Sequence, residues 1–254
     1  MPNNISNTAL LLPSIAHANV PQLTVDLILH TFPFVKVRSL DSTFLYPFAS
    51  PVDHAQGATQ PEGFSSALDL YVCEELGLSL IQQRAPVIPS FQRNFHSQLM
   101  KFIESSNFNK VVLLDSKDYA YIGGFMGNCP TAIYAGESTE QELDSLLRKL
   151  TINEAEAEES PNRVVKDEEA EIKDTFTDTV SQLVLSLKEK KISTAALIGY
   201  IYEGDNSPDA KIMAGKVAKL LSLPFDGEWK TPKSWSGVYG SRDVPRSMED
   251  GMFG

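Results

Sequence analysis

The sequence predicts an α/β protein with a mainly parallel sheet, and three observations support this prediction. Residues 195–202 form a continuous apolar run of strand length, which is typical of a strand covered on both faces. A short loop and a helix start signal follow directly in residues 203–209. Strand and helix patterns alternate again in residues 8–31 and 90–115, so the chain repeats one kind of unit.

The loop and helix after the run 195–202 have a recognisable local chemistry. We predict that the helix begins with Ser207 as its N-cap and Pro208 in its first position. One apolar stripe follows at helical spacing: Met213, Val217, Leu220 and Leu221. Asp205 and Asn206 are expected to bind the amides of their own loop, as turn-forming residues do.

A phosphate site is the functional alternative for this loop, since ligands collect at the carboxyl ends of parallel strands and anions at helix N-termini. Glu203, Asp205 and Asp209 place three carboxylates there, and the loop contains no Lys or Arg. Because like charges repel, the sequence favours the structural interpretation.

Further strands and helices are predicted on both sides of this unit. Gly77 is expected at the turn of a hairpin, and Ser90 is expected to cap a helix that buries Phe91. In chain order the predicted strands are 8–12, 34–40, 68–72, 78–84, 110–115 and 131–135, and the predicted helices are 19–31, 90–106, 138–150 and 176–190. Residues 43–51 form a short aromatic stretch interrupted by prolines.

Composition excludes several classes of function. The 254 residues carry a net charge of −11, which argues against binding to nucleic acid or to an anionic membrane. Cys73 and Cys129 lie far apart without a CxxC pair, which favours a reducing compartment. The first residues do not resemble a signal peptide, and no apolar run is long enough to span a membrane. We expect a soluble intracellular protein.

An acidic stretch interrupts the α/β pattern. Residues 153–174 contain nine acids, three bases and no aromatic residue. Such a segment buries too little apolar surface to offset its ordering entropy. We therefore expect a single α/β domain at 1–224 with a disordered insertion at 152–174, whose alternative role is an acidic tether for a basic partner.

The last part of the chain, 225–254, is predicted to be an irregular aromatic segment followed by a mobile tail. Trp229, Trp235 and Tyr239 lack any helix or strand period, so they are expected to clamp onto the domain or onto another protein. The tip, Met252-Phe253-Gly254, presents an aromatic ring beside a free carboxylate. Such a tip can enter a pocket and place its carboxylate against a lysine, and a frayed terminus is the alternative.

The sequence contains one candidate catalytic residue, Asp115. Asp115 ends a predicted core strand, but no acid, His or nucleophile accompanies it at a meaningful spacing, so a turn role is favoured. The nucleotide-binding glycine motifs and GxSxG are absent. None of the four histidines has metal-ligand spacing: His17, His30, His54 and His96. We predict no catalytic, cofactor-binding or metal-binding residues.

Several stretches of the chain resemble the proteasome assembly chaperone 2 family. The most specific of them is the segment Gly204-Asp205-Asn206-Ser207-Pro208-Asp209-Ala210, together with the apolar strand before it. The others are residues 11–14, 19–28 and 231–235. This resemblance implies a single-domain three-layer sandwich around a mixed, largely parallel sheet. It also implies a nucleoside-phosphorylase-like architecture without the chemistry, in which Gly204, Asp205, Asn206 and Pro208 are structural.

The resemblance further implies a non-catalytic chaperone in the cytoplasm and nucleus. Such a protein pairs with proteasome assembly chaperone 1, and the heterodimer binds the outer face of the proteasome α ring during core-particle assembly. Met252, Phe253 and Gly254 stand where the family has a hydrophobic-Tyr-any motif that enters pockets between α subunits. Phe253 lacks the tyrosine hydroxyl, and the lost hydrogen bond is worth roughly 0.5–1.5 kcal/mol. The alternative function is a nucleoside phosphorylase or hydrolase with its pocket at the Gly204 loop.

Overall fold

A computed structural model describes residues 4–122, 131–136 and 163–236 of the chain. Its main feature is an eight-stranded sheet with the strand order β2-β5-β6-β1-β7-β10-β8-β9, beside a small two-stranded sheet, β3-β4. The strands are β1 (Ala9–Pro13), β2 (Val35–Ser39), β3 (Ala49–Pro51), β4 (Phe64–Ser66), β5 (Leu68–Cys73), β6 (Leu78–Gln83), β7 (Lys110–Asp118), β8 (Thr131–Ala135), β9 (Arg163–Val164) and β10 (Thr194–Ile201).

The sheet is mixed, with a parallel centre. β1 pairs in parallel with β6 and β7, β7 with β10, and β8 with β9. The pairs β2-β5, β5-β6 and β8-β10 are antiparallel. The central strands β1, β7 and β10 are buried along nearly their whole length, as expected for strands covered on both faces.

Helices cover both faces of the sheet and make a three-layer structure. The helices are α1 (Val20–Thr31), α2 (Gln92–Ser106), α3 (Glu169–Thr175), α4 (Asp178–Glu189) and α5 (Ser207–Leu220). Helices α1 and α5 pack on one face, and α2, α3 and α4 on the other. Alternate strand residues supply the two cores, with Leu10 and Leu113 facing α2 and α4 while Leu11 and Val112 face α1 and α5.

The predicted α/β fold is confirmed, and so are most of its local elements. The hairpin β5-β6 has Gly77 at its turn with φ of 57°, a left-handed conformation that glycine adopts without strain. Helix α1 buries the predicted residues Val20, Leu23, Leu27 and Ile28. The predicted helix 138–150 lies outside the described residues.

The disordered insertion at 152–174 is wrong for the part that the structure describes. Residues 163–164 form β9 beside β8, and α3 covers 169–175. Val165 and Ile172 are buried in the core, and the Arg163 guanidinium donates to Thr175 Oγ1 at 2.8 Å. Two well-placed apolar residues are thus enough to fix this acidic stretch, and residues 152–162 lie outside the described part.

Two predicted helix caps are also wrong. Phe91, not Ser90, precedes α2, and Ser90 has a left-handed φ of 78° in the turn before it. Phe91 is exposed rather than buried because it lies outside the helix and stacks on Phe44. In α5 the N-cap is Asn206, and Ser207 is the first helical residue.

Residues 225–236 form an irregular segment, the C-terminal strap, that packs on the domain and contains a 3-10 helix at Lys233–Trp235. Trp229 stacks on Phe225 with ring centroids 3.9 Å apart, and Trp235 is buried in the core beside α1 and α5. The expected clamping of these tryptophans onto the domain is therefore observed, while Tyr239 lies outside the described residues. Across the described ranges, no helix is both long and apolar enough to cross a membrane.

Candidate interaction surfaces

The Gly204 loop at the end of β10 is closed by the side chain of Asn206, which is buried. Its Oδ1 accepts from the Gly204 amide at 3.0 Å, and its Nδ2 donates to the Tyr202 carbonyl at 2.7 Å and to Asp209 Oδ2 at 2.9 Å. Every polar atom of this amide is thus used within the loop. This agrees with the structural role predicted for the motif.

The remaining polar groups of the loop are either used locally or exposed. Asp205 Oδ1 accepts from the Ser207 amide at 3.1 Å, and Pro208 is the second residue of α5. Glu203 and Asp205 are exposed to solvent, so the loop presents negative charge at its surface. Residues 203–209 contain no Lys or Arg that could bind a phosphate.

Asp115, the candidate catalytic carboxylate, is completely buried. It accepts hydrogen bonds from Ser14 Oγ at 2.9 Å, from the Ser116 amide at 3.0 Å and from the Thr177 amide at 2.8 Å. Burial raises its pKa above the ordinary aspartate value, although these hydrogen bonds act in the opposite direction. Asp115 lies within β7, which continues to Asp118, so its predicted place at the end of the strand is wrong. Since Thr177 precedes α4, this carboxylate ties the end of β1 and the middle of β7 to the start of that helix.

His96 and His30 make separate local contacts, and His30 and His54 line one groove. His96 on α2 bonds Ser186 Oγ of α4 at 3.0 Å, and burial lowers its pKa. His30 contacts the carbonyl of Asp26 within its own helix at 2.8 Å. Within the part of the chain that the structure covers, no three His, Cys, Asp or Glu side chains are grouped so that they could hold a metal ion.

The C-terminal strap is held on the domain by backbone and side-chain hydrogen bonds. Its backbone bonds the loop after β3, with Lys233 N donating to the His54 carbonyl at 2.8 Å. Both carboxylate oxygens of Asp53 accept from Ser234, one from its amide and one from its hydroxyl. The described chain ends at Ser236, and the predicted tip Met252, Phe253 and Gly254 lies outside the described residues.

A cluster of exposed apolar side chains lies at the β2 end of the sheet. Six large hydrophobic residues are exposed within the described ranges: Val35, Tyr46, Phe48, Phe64, Phe91 and Tyr202. Three of them, Val35, Phe48 and Phe64, line adjoining depressions, and we call these three the aromatic edge. A single exposed apolar residue is ordinary, but neighbouring ones indicate an interaction surface.

A groove and a cleft join the members of this edge. Val35 and Phe64 line a groove of about 680 Å³, and Phe48 lines an adjoining cleft of about 730 Å³. The two share the wall formed by Val52 and Ser65. Ser236, the last described residue, also lines the cleft.

Asp69 supports the aromatic edge from beneath. This fully buried carboxylate accepts from Lys36 Nζ at 2.9 Å, from Ser39 Oγ at 2.7 Å, and from the amide and hydroxyl of Ser66 at 2.9 and 2.6 Å. Burial alone would raise the pKa of Asp69, but the bonds from Ser66, Lys36 and Ser39 together lower it. Asp69 therefore holds β2 and β4 against β5.

A second ion pair with a buried carboxylate lies on the same face of the sheet, beside Asp69. Asp26 of α1 accepts from Arg84 Nη1 at 2.7 Å and from Gln82 Nε2 at 2.8 Å. Nearby in the groove, Tyr71 has a pKa raised to about 12, first by burial and then by the charge of Asp69. The phenol is therefore neutral at physiological pH and keeps its hydrogen-bonding proton.

The aromatic edge was not predicted from the sequence as a site. The aromatic stretch 43–51 was visible, but nothing in the chain order shows that Phe64 and Val35 join it. The one available signal was the i, i+2 spacing of Phe44, Tyr46 and Phe48 among prolines, which suits a short exposed extended segment.

The fold and these surfaces together define a class of protein. It is a three-layer α/β protein whose carboxyl-end loop is closed by its own side chains and whose exposed apolar groups form a surface. A model of the PAC2 family matches residues 10–231, and the chain belongs to this family.

Relatives by sequence cover almost the whole chain. Proteasome assembly chaperone 2 of Danio rerio is 26% identical over 242 residues, covering 93% of each chain. The Saccharomyces cerevisiae protein of the same name is 25% identical and covers 96% of this chain and 98% of its own. Human proteasome assembly chaperone 2 is 23% identical, with 94% of each covered. The family resemblance seen in the sequence is thereby confirmed.

Solved structures support the fold. Pyrococcus furiosus PbaA, an archaeal homologue of proteasome-assembly chaperone, superposes with a TM-score of 0.66 at 14% identity, covering 99% of this chain and 91% of its own. PbaB from the same organism, an archaeal proteasome activator, gives a TM-score of 0.60 at 12% identity, with 89% and 88% covered. At these identities the likeness shows the mixed α/β architecture alone.

Proposed function

We propose that this chain is a non-catalytic chaperone of proteasome assembly that forms a heterodimer with proteasome assembly chaperone 1. The heterodimer binds the outer face of the proteasome α ring while the core particle is built. The observation that carries this proposal is the PAC2 family match over residues 10–231, together with curated relatives that are all named proteasome assembly chaperone 2.

The geometry of the polar groups is consistent with a role that needs no reaction. Asp115 is sealed from solvent and fully used in hydrogen bonds, and Asn206 closes its own loop. The rival function is a nucleoside phosphorylase or hydrolase with a pocket at Gly204. A phosphorylase would need a cation for phosphate at that loop, and residues 203–209 contain no Lys or Arg. A hydrolase would need a free carboxylate there, but Asp205 accepts from the Ser207 amide and Asp209 from the side chain of Asn206.

The tail is assigned to the α ring. Met252, Phe253 and Gly254 would enter a pocket between α subunits, with the terminal carboxylate facing a lysine. Eighteen residues follow Ser236, and a chain of that length can span at most about 60 Å. The tail can therefore reach well beyond the domain, and Phe253 packs there without the hydroxyl that a tyrosine would offer.

Deletion of Met252 to Gly254 tests this assignment. We expect binding to α rings to weaken at least tenfold, while the affinity for proteasome assembly chaperone 1 stays the same, because tip and folded domain are separate. The measurement is a titration of purified wild-type and truncated heterodimers against isolated α rings. Equal ring affinity of the two would reject the role of the tip.

Activity and location are tested separately. The purified chain is incubated with nucleosides, with and without phosphate, and we expect no release of free base above a protein-free control. Turnover above that control would overturn the chaperone proposal in favour of the enzyme. Fluorescence imaging of the tagged chain should place it in the cytoplasm and nucleus, the location that the resemblance implies.

A further inference from the structure

We propose that residues 52–63, which we call the flap, are a movable wall of the groove, and that the C-terminal strap is the fixed post to which this wall is latched. The flap connects β3 to β4 and contributes Val52, His54, Ala55 and Ala58 to the lining of the groove. The inference goes beyond the proposed function, because it concerns a motion of this chain alone and requires no partner.

The flap has no anchor of its own in the core. Residues 52–55 are half-buried and residues 56–63 are exposed, so none of the flap is fully buried. Gly57 and Gly63 have φ of 86° and 107°, conformations that glycine adopts without strain. A segment that buries so little surface opens at a low cost in free energy unless a neighbouring segment holds it.

The strap, in contrast, is attached to the core at two points. Trp235 is 8% exposed and belongs to the core beside α1 and α5. At the other point the Trp229 ring contacts Phe32 edge-on, with ring centroids 6.4 Å apart, and the Lys230 amide donates to Thr31 Oγ1 at 3.0 Å. These two attachments lie on either side of the strap residues that contact the flap.

The backbone of the flap is paired with the strap between these two attachments. The Gln56 amide donates to the Thr231 carbonyl at 2.9 Å, and the Lys233 amide donates to the His54 carbonyl at 2.8 Å. Among the described residues, the hydrogen bonds that connect residues 53–56 to any other part of the chain all lead to the strap. The strap therefore sets the position of the flap.

Asp53 is the side chain that completes this latch. Its two carboxylate oxygens accept from the amide and from the hydroxyl of Ser234, and both bonds are exposed to solvent. Because water replaces exposed hydrogen bonds readily, such bonds break without the cost of a buried group left unpaired. The flap can therefore leave the strap while Trp235 stays in the core.

Opening of the flap changes the groove and the cleft together. Val52, Asp53 and His54 line both depressions, whose volumes are about 680 and 730 Å³, so their movement removes the wall between the two. Tyr71 and Gln82 also line the groove, and both are buried in the closed arrangement. The latch thus controls access to these two polar side chains.

The test compares two carboxylates of the same loop. Asp53→Ala removes the side-chain part of the latch, whereas the control Glu62→Ala removes a carboxylate from the exposed part of the flap. Amide hydrogen exchange is followed by NMR at Gln56 and Lys233, whose bonds join flap and strap, and at Arg84, whose amide bonds elsewhere in the domain.

We expect exchange at Gln56 and Lys233 to become at least tenfold faster in Asp53→Ala and to keep its wild-type rate in Glu62→Ala. The rate at Arg84 should be the same in all three chains, because the sheet is unchanged. Wild-type rates at Gln56 and Lys233 in Asp53→Ala would overturn the proposal, as would an equal acceleration in Glu62→Ala.

Tryptophan fluorescence shows whether the strap stays in place. The chain contains two tryptophans, Trp229 and Trp235, and both lie in the strap. We expect the emission maximum and the quenching by acrylamide in Asp53→Ala to match the wild type. Emission at longer wavelength with stronger quenching would mean that the strap itself detaches, and this would overturn its assignment as the fixed post.

A reversible crosslink tests the latch in the opposite direction. Ala55 and Pro232 are paired across an antiparallel bridge, and the Cα atoms of such pairs lie about 4.5–5.5 Å apart, which a disulfide can span. In Ala55→Cys/Pro232→Cys we expect exchange at Gln56 to slow at least tenfold on oxidation and to recover on reduction. Unchanged exchange in a chain whose crosslink is verified by mass spectrometry would overturn the proposal, since the flap would then open without leaving the strap.

Discussion

Two aspartates that are equally buried behave in opposite ways. Asp69 and Asp115 are both completely inaccessible to solvent, and each accepts at least three hydrogen bonds. The pKa of Asp69 is lowered, whereas the pKa of Asp115 is raised. At Asp69 the bonds from Ser66, Lys36 and Ser39 together outweigh burial, whereas at Asp115 burial outweighs the bonds from Ser14, Ser116 and Thr177, which are all neutral groups.

This contrast separates two regions of the molecule. Asp115 has a purely internal role, since its carboxylate joins β1, β7 and α4 and no part of it is exposed to solvent. Around Asp69 the buried charge supports an exposed surface, since it fixes β2 and β4 under Val35 and Phe64. Burial of a carboxylate is therefore poor evidence for catalysis. The groups that donate hydrogen bonds to it show which parts of the structure it holds together.

The largest effect is expected from Asp69→Ala. The change removes a buried acceptor from the partly exposed Lys36 ammonium and from the donors of Ser39 and Ser66. Because several bonds are lost at once, one of them to a cation, we expect the free energy of unfolding to fall by about 3 kcal/mol. Urea denaturation of wild-type and variant chains measures the change.

The control for this experiment is Asp41→Ala. Asp41 is an exposed aspartate whose pKa is lowered by the hydroxyl and amide of Thr43. We expect almost no change in the free energy of unfolding, because solvent replaces the lost acceptor. If the free energy of unfolding falls by a similar amount in both variants, the buried bonds of Asp69 contribute no more to stability than the exposed bonds of Asp41.

A smaller loss is expected from Asp115→Ala. The change leaves the Ser14 hydroxyl and the amides of Ser116 and Thr177 without an acceptor, but it strands no cation and removes an unfavourably buried charge. We expect the free energy of unfolding to fall by about 1–2 kcal/mol at neutral pH. A loss larger than that of Asp69→Ala, measured by the same urea titration, would contradict the comparison.

The smallest effect is a difference in pH dependence between Asp69→Asn and Asp115→Asn. The lowered pKa of Asp69 means that its stabilising contribution is present above the unfolded aspartate pKa of about 3.9 and is lost as the pH falls through the lower folded value. We therefore expect Asp69→Asn to lose less stability than the wild type when the pH falls below about 4.

Asp115 should show the opposite sign. Because its folded pKa is raised, its contribution is fully present below the unfolded pKa of about 3.9 and is lost as the pH rises through the folded value. Asp115→Asn should therefore flatten the stability curve above about pH 4, where Asp69→Asn leaves it unchanged. Urea titrations at a series of pH values compare the two, and identical curves for both variants would contradict the assigned shifts.

Local patterns in the sequence were sufficient for much of the fold. The apolar run that became β10, the glycine turn at Gly77 and the apolar stripe of α1 depend on neighbours within a few residues, so the chain order shows them directly. The Asx bonds of Asp205 and Asn206 are local for the same reason. The caps at Ser90 and Ser207 were misplaced because a shift of one residue changes little in the pattern.

The sequence by itself determined that this is an α/β chain of the PAC2 type, with strands and helices set by apolar periodicity and turn residues. Only the tertiary structure decided which polar groups meet and which apolar groups stay exposed. Asp69 and Ser39 are thirty residues apart in sequence, and Ser14 and Asp115 a hundred and one. Such contacts depend on strand order in the sheet, which no local pattern specifies, and the aromatic edge exists for the same reason.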